Sequence, residues 1–309
     1  MTPATRRARG TPWVTASAGA VLIALAASAW LAIARTRGPS PQFATRAAPP
    51  GPERHRADEA LVLAGSGSNL PVTRALASAW AAQGAPPPMV HTSIGSGGGM
   101  RALRDGAVDV ALVSRSLSAE EREANIAVPY ARVPIYIGVH ASVPDQSLTR
   151  AELIEIFEGT RTQWSDGSRI VVLQRERGDS SHGAVNRVVP EFEAANVRAY
   201  QARRWHVIND DVSMNDALAS TEGAIGLLGA GAIPNTLPIR ALAFEGVVPT
   251  LDNVELGAYP FHKDLAMVTR GEPDERAAAF FRFVFSREGQ AIIRQQGAIP
   301  LGAEMERDL

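Results

Sequence analysis

Between about residue 60 and residue 300, short apolar runs alternate with segments of helical period, and glycine and serine crowd the junctions. Leu61-Val62-Leu63 reads as a first strand. It closes in Gly65-Ser66-Gly67-Ser68-Asn69-Leu70-Pro71, ahead of a helix to about Gln83 with Pro71 at a tolerated early position. Met89 to Ser93 reads as a second strand, ending in Ile94-Gly95-Ser96-Gly97-Gly98-Gly99 before a helix that begins near Met100. Val108 to Val113 is a third, closing at Ser114-Arg115-Ser116, and Ser118 with Glu121 makes a capping-box pattern for the next helix. Three strands in succession thus end in small, hydroxyl-bearing or cationic residues. Such β-loop-α alternation implies an open, mostly parallel sheet whose ligands sit beyond the carboxyl ends of the strands.

Val133 to Val139 is an apolar strand that leaves the first sheet, and Thr149 with Glu152 caps a helix running through Glu158. Gly223 to Leu228 and Leu265 to Thr269 are later strands. Pro273, Asp274 and Glu275 start a helix whose apolar side holds Phe280, Phe281 and Val284, and a last helix, about Arg287 to Gln296, stops at Gly297.

The chemically densest stretch is Val171 to Asn186. A β-branched strand start leads to two arginines, a glycine, an acid and two hydroxyls between Arg175 and Ser181, and then to a helix that Asp179 or Ser180 can cap. A strand that breaks into a glycine-containing loop and a helix N-terminus makes an anion socket, because free N–H groups and the positive dipole end converge there. Arg175 adds a planar, always-charged fork suited to an oxyanion. Arg177 reads as a solvated loop arginine.

Composition is that of a globular chain, with 20% charged and 45% hydrophobic residues in 309. The net charge of −1 hides an asymmetry: residues 1–52 hold six arginines and no acid, which leaves 25 basic and 32 acidic residues, or −7, for the body. A body of that sign is a poor nucleic-acid binder. Cysteine is absent, so disulfides, thiolate chemistry and Cys-ligated metals are excluded. The six histidines show no pair at ligand spacing, and Trp80, Trp164 and Trp205 read as core. There is one lysine, Lys263, against thirty arginines, for which the sequence offers no structural account.

Arg6, Arg7 and Arg9 precede an uncharged apolar run from Val14 to Ala34, long enough to span a bilayer with its N-terminus inside. Ala27-Ser28-Ala29 and Ala32-Ile33-Ala34 could instead be signal-peptidase sites. Either way the body is expected outside the cytoplasm, periplasmic or tethered to the inner membrane. Residues 35–59, rich in Pro, Ala and Arg, read as a linker.

The ordered set of these segments resembles the PstS-type phosphate-binding proteins of ABC importers, within the periplasmic binding proteins, over about residues 60 to 302. Gly65 to Pro71 and Ile94 to Gly99 look like that family's two Gly-rich ligand loops, Asp109 to Arg115 like its third strand, and Ile156-Phe157-Glu158-Gly159, Trp164, the Arg175–Ser181 loop, Gly223 to Leu228 and Glu288-Gly289-Gln290 continue the match. The resemblance implies an α/β, two-lobed type II fold, each lobe a mixed sheet flanked by helices. Two hinge crossings would fall near Val133–His140 and Leu256–His262. Lobe 1 would comprise 60–135 and 259–309, and lobe 2 residues 136–258. It further implies no cofactor, inorganic phosphate or a similar oxyanion as ligand, and a membrane permease as partner. Carried over by residue, Ser68, Asn69 and Leu70 offer N–H groups with a possible side-chain donor among them, and Ser96 with Gly97, Ser114 and Arg115 lines the ligand. Arg175 is the paired cation, and Asp179, Ser180 and Ser181 stand at the helix N-terminus.

Two positions depart from that family. An acid commonly follows the third strand to accept the proton of the ligand, where this chain has Ser114 and Arg115; and Asp179 stands where a serine is common. These departures suggest Asp179 as a displaced acceptor with its charge offset by Arg115, or else as a helix N-cap facing away from the ligand. Gly178-Asp179-Ser180-Ser181 also resembles the nucleophile block of GDSL-type hydrolases, but no Asp-x-x-His follows it. An anion sensor of the same fold is the other reading.

Overall fold

The computed structural model describes residues 60–229 and 236–302. The expected membrane or signal segment at 14–34, the linker at 35–59 and the end of the chain beyond 302 lie outside them. Among the described residues no helix is long and apolar enough to cross a membrane.

The chain opens with β1 (Val62–Gly65), a 3-10 turn (Gly67–Asn69) and α1 (Leu70–Ala82). There follow β2 (Met89–Val90), α2 (Gly95–Arg104), β3 (Val110–Val113) and α3 (Ala119–Ala124), the last opened by the Ser118–Glu121 capping box. The glycine run expected as a loop is instead the first turns of α2. Its glycines allow close packing: a Cβ on Gly99 would stand 2.8 Å from Gly65 Cα and 2.9 Å from the Ala64 carbonyl oxygen, so α2 lies directly on β1.

Next come β4 (Ile126–His140), β5 (Ser147–Leu148) and α4 (Arg150–Glu158), which the Thr149–Glu152 box opens and left-handed Gly159 ends. β6 (Val171–Arg175) leads into α5 (Ser180–Val188) and α6 (Pro190–Gln201), then β7 (His206–Ile208), α7 (Asp211–Ser220) and β8 (Ala224–Gly229). The chain continues through β9 (Ile239–Phe244), α8 (Leu251–Glu255), β10 (His262–Thr269), α9 (Glu275–Phe285), α10 (Arg287–Gln295) and β11 (Ile299–Pro300).

Hydrogen-bonded neighbours run in the order β2-β1-β3-β10-β4-β8-β6-β7. The outer strands pair in parallel, β1 with β2 and β3, and β6 with β7 and β8. The central joins through β10 and β4 are antiparallel, so the sheet is mixed rather than mostly parallel. β4 changes partner along its length. Ile126 to Pro134 are in register with β10, and Ile135 to Val139 with β8.

The cores divide at the same place. Val128, Tyr130 and Val133 pack with Leu63, Leu76, Leu112, Phe280 and Phe281. Ile135, Ile137 and Val139 pack instead with Phe157, Phe192 and Leu227. Both sets are shielded from water, each large side chain contributing about 1.5–3 kcal/mol of burial. One strand thus belongs to two cores, and the ends of β1, β3 and β6 carry the loops of interest.

Candidate functional site

Arg175 ends β6 at 4% exposure. Its Nη2 donates to Asp179 Oδ2 at 2.9 Å, and its Nη1 lies 3.3 Å from Asp211 Oδ1 without hydrogen-bond alignment. Nε and Nη1 are both buried with no hydrogen-bond partner among the described residues. A buried guanidinium with two unused edges is unfavourable unless an acceptor meets it.

Gly178 takes a left-handed turn (φ +81°), which brings the chain round so that Asp179 caps α5. Asp179 Oδ1 accepts the N–H groups of Ser181 at 2.8 Å and His182 at 3.4 Å, while Oδ2 faces Arg175. Burial alone would raise this carboxyl, but the charges of Arg175 and Lys263 hold it down at about 2. Asp179 is therefore an N-cap, as one sequence reading had it. The cap faces the arginine, and three of its lone-pair positions are taken.

Serines from separate elements converge beside it. Ser114, just past β3, lies 2.7 Å from Ser66 and 3.1 Å from Ser180, oxygen to oxygen. The Ser114 N–H donates to Ser96 Oγ at 3.2 Å. Lys263 of β10 donates to Ser180 Oγ at 3.0 Å and Ser181 Oγ at 3.3 Å. The assembled set is two cations, two carboxylates and five hydroxyls, at the ends of β1, β3 and β6 and the starts of α2, α5, α7 and β10. Its chemistry is that of oriented donors around a compact acceptor-rich solute.

Residues 49–288 match the family model of the PBP superfamily domain. The chain belongs to this superfamily. It is 27% identical to the phosphate-binding protein PstS of Bacillus subtilis over 256 residues, 80% of this chain and 82% of that protein. SphX of Synechococcus elongatus is 26% identical over 278 residues, 80% of each chain. A Clostridium perfringens structure with bound phosphate, assigned to phosphate ABC-transporter substrate binding, superposes with a TM-score of 0.70 at 25% identity. The match covers 79% of this chain and 100% of that one. The expected α/β periplasmic-binding-protein fold is borne out.

Within this PBP-superfamily chain the expected ligand residues divide. Ser96, Ser114, Arg175, Asp179, Ser180 and Ser181 come together as described. Ser68 is buried next to them, its N–H directed weakly at Ser66 Oγ (3.4 Å). Asn69 and Leu70 differ from expectation: their N–H groups are bonded inside the 3-10 turn, to the Ser66 and Gly67 carbonyls. The Asn69 side chain, expected as a possible donor, faces the core instead, with Nδ2 3.3 Å from the Tyr130 hydroxyl. Gly97 contributes backbone only, within α2.

Arg115 does not offset Asp179. It grips Glu121 with both ends of its fork, at 2.7 and 2.8 Å, because the capping box places that carboxylate six residues on. Arg175 and Lys263 fill the role instead. His182, next to the serines in sequence, stands edge-on to Phe157 and Phe192 and makes no hydrogen bond to Ser180 or Ser181. Sequence reasoning missed Lys263, Asp211 and Ser66. The isolated lysine was the one signal available for the first; Asp211 hid in an Asn-Asp-Asp run that reads as ordinary capping.

Proposed function

We propose that this chain captures inorganic phosphate outside the cytoplasm and presents it to the membrane permease of an ABC importer, with no chemical step. The observation that carries the reading is Arg175: deeply buried, with Nε and Nη1 making no hydrogen bond (Nη1 has only the ion-pair contact to Asp211), and flanked by the Ser114–Ser180 contact and the N-terminus of α5. Unsatisfied guanidinium edges beside hydroxyl donors fit a tetrahedral oxyanion. Phosphate in particular is favoured by the PstS relative and by the phosphate held in the Clostridium perfringens structure.

Two lobes, 60–135 with 259–309 and 136–258, would close on the ligand by bending where β4 changes partner. The second hinge would lie ahead of β10. Ser114 and Arg175 belong to opposite lobes in that division, so the ligand makes its full contact set only in the closed form, which drives closure. The missing Asp-x-x-His and the packing of His182 leave the GDSL-type reading without a histidine base.

Calorimetric titration with phosphate, sulfate, molybdate and tungstate tests the reading. Wild-type protein should bind phosphate, and Arg175→Ala should lose roughly 100-fold or more, the value of a charge-assisted pair in a dry site. Melting curves establish that the variant is folded. Undiminished binding in a folded Arg175→Ala would sink the assignment.

A further inference from the structure

Lys263 lies outside every ligand set expected from sequence, yet it is the chain's single lysine and is 2% exposed. β10 carries it, opposite Val133 of β4, at the place where β4 is about to change partners. Its ammonium donates to Ser180 and Ser181 together. Space has been left for it: a Cβ on Gly229, at the end of β8, would stand 2.6 Å from Nζ. A buried ammonium is unfavourable unless opposed by negative charge. Burial pushes the Lys263 pKa below its ordinary value; Asp211 of α7 and Asp179 before α5 oppose that shift, and the like charge of Arg175 on β6 adds to it.

A hydroxyl has one proton and two lone pairs. An ammonium on a lone pair of Ser180 and another of Ser181 turns both hydroxyl dipoles so that their protons point away from Nζ. Ser180 Oγ then faces Ser114 Oγ, and Ser114 Oγ faces Ser66 Oγ. Ser180 keeps a second lone pair that can accept from Ser114, which leaves its one proton for a ligand.

We propose that Lys263 is a specificity-determining residue of the oxyanion site: it holds Ser180 and Ser181 as donors, and so favours the more highly ionised form of an oxyanion, the dianion of phosphate, over its more protonated monoanion. The inference rests on the phosphate reading given above. A lysine that only filled the core would weaken both ligand forms equally.

The test compares wild type, Lys263→Arg and Lys263→Met by phosphate titration above and below the second ionisation of phosphate. Sulfate is the fully ionised control at both pH values, and a melting curve accompanies each variant. Wild type and Lys263→Arg should prefer the dianion. Lys263→Met should lose about tenfold or more for the dianion, the effect of one charge-assisted hydrogen bond, and clearly less for the monoanion. In wild type labelled with lysine bearing 15N at Nζ, the single side-chain resonance should shift when phosphate is added. That readout serves even if Lys263→Met does not fold. An equal loss for both ligand forms, or an unmoved Nζ resonance in protein that binds phosphate, overturns the role of Lys263 and leaves the phosphate reading intact. Failure of wild type to bind phosphate overturns both.

Discussion

Ser114 Oγ and Ser180 Oγ lie 3.1 Å apart although 66 residues of chain separate them. The first follows β3, whose alternate side chains enter two groups of core contacts, and the second opens α5 after β6. Ser114 is 1% exposed and touches Ser66 as well, so it sits at the middle of the hydroxyl row.

A carboxylate at that position would be an acceptor among donors. Ser114→Asp should accept the proton of a protonated phosphate and repel fully ionised sulfate. The ratio of phosphate to sulfate affinity is expected to rise about tenfold, one pKa unit's worth of discrimination. Competition titrations of the two anions measure it. A ratio equal to wild type would show that position 114 does not face the ligand.

Asp179 tests the electrostatics of the arginine loop. Its carboxylate ties Arg175 and caps α5, so Asp179→Asn keeps a capping oxygen but loses the ion pair. The expected destabilisation is about 2 kcal/mol, less than for breaking an isolated buried pair because Asp211 remains beside Arg175. The sign with pH follows from the depressed folded value. The Asp179 contribution is full above the unfolded 3.8 and is lost as pH falls toward about 2. The gap between wild type and variant should stay constant above 3.8 and close only below it. Denaturant melts along a pH series give the curve, and a gap that closes near neutral pH would contradict it.

The parts of this fold that were legible in sequence are those governed by neighbours along the chain. The Ser118–Glu121 and Thr149–Glu152 boxes, the β6-to-α5 loop and the Gly297 stop each depend on residues a few positions apart, and each appears as expected. What escaped notice depends on distant partners. Nothing near Lys263 signals that β10 will bring it to Ser180, 83 residues earlier. Arg115 reads in sequence as a counter-charge for Asp179 because Glu121, its partner in the structure, reads only as a capping residue. The glycines before Met100 read as a loop because their reason is contact with β1, which local pattern cannot express.

Those glycines can be told apart by substitution. A Cβ on Gly97 would meet only Arg101 Nη1 at 3.6 Å, so Gly97→Ala should be tolerated or should stabilise α2 by up to about 1 kcal/mol. Gly99→Ala forces a Cβ against the backbone of β1 and should cost about 2 kcal/mol, since neither strand nor helix can yield freely. Differential scanning calorimetry separates the two. Similar melting temperatures would mean that α2 does not rest on β1.

His182 supplies a prediction about acid stability. It is 5% exposed, with ring centroids 6.2 Å from Phe157 and 5.6 Å from Phe192, and its Nε2 has no hydrogen-bond partner. Burial pushes its pKa down from 6.5 to about 4, with Asp179 opposing the shift and Arg175 reinforcing it. Because the folded value lies below the unfolded one, the unfolded chain binds more protons between the two. The stabilisation is complete above 6.5 and drains away as pH falls to about 4, by roughly 3 kcal/mol. His182→Leu removes that titration and keeps the packing against both rings. Its unfolding free energy should therefore fall much less than that of wild type across the same window, as measured by denaturant titration at each pH. Parallel slopes for the two proteins would place the acid sensitivity elsewhere and would mean that His182 is not held neutral in the fold.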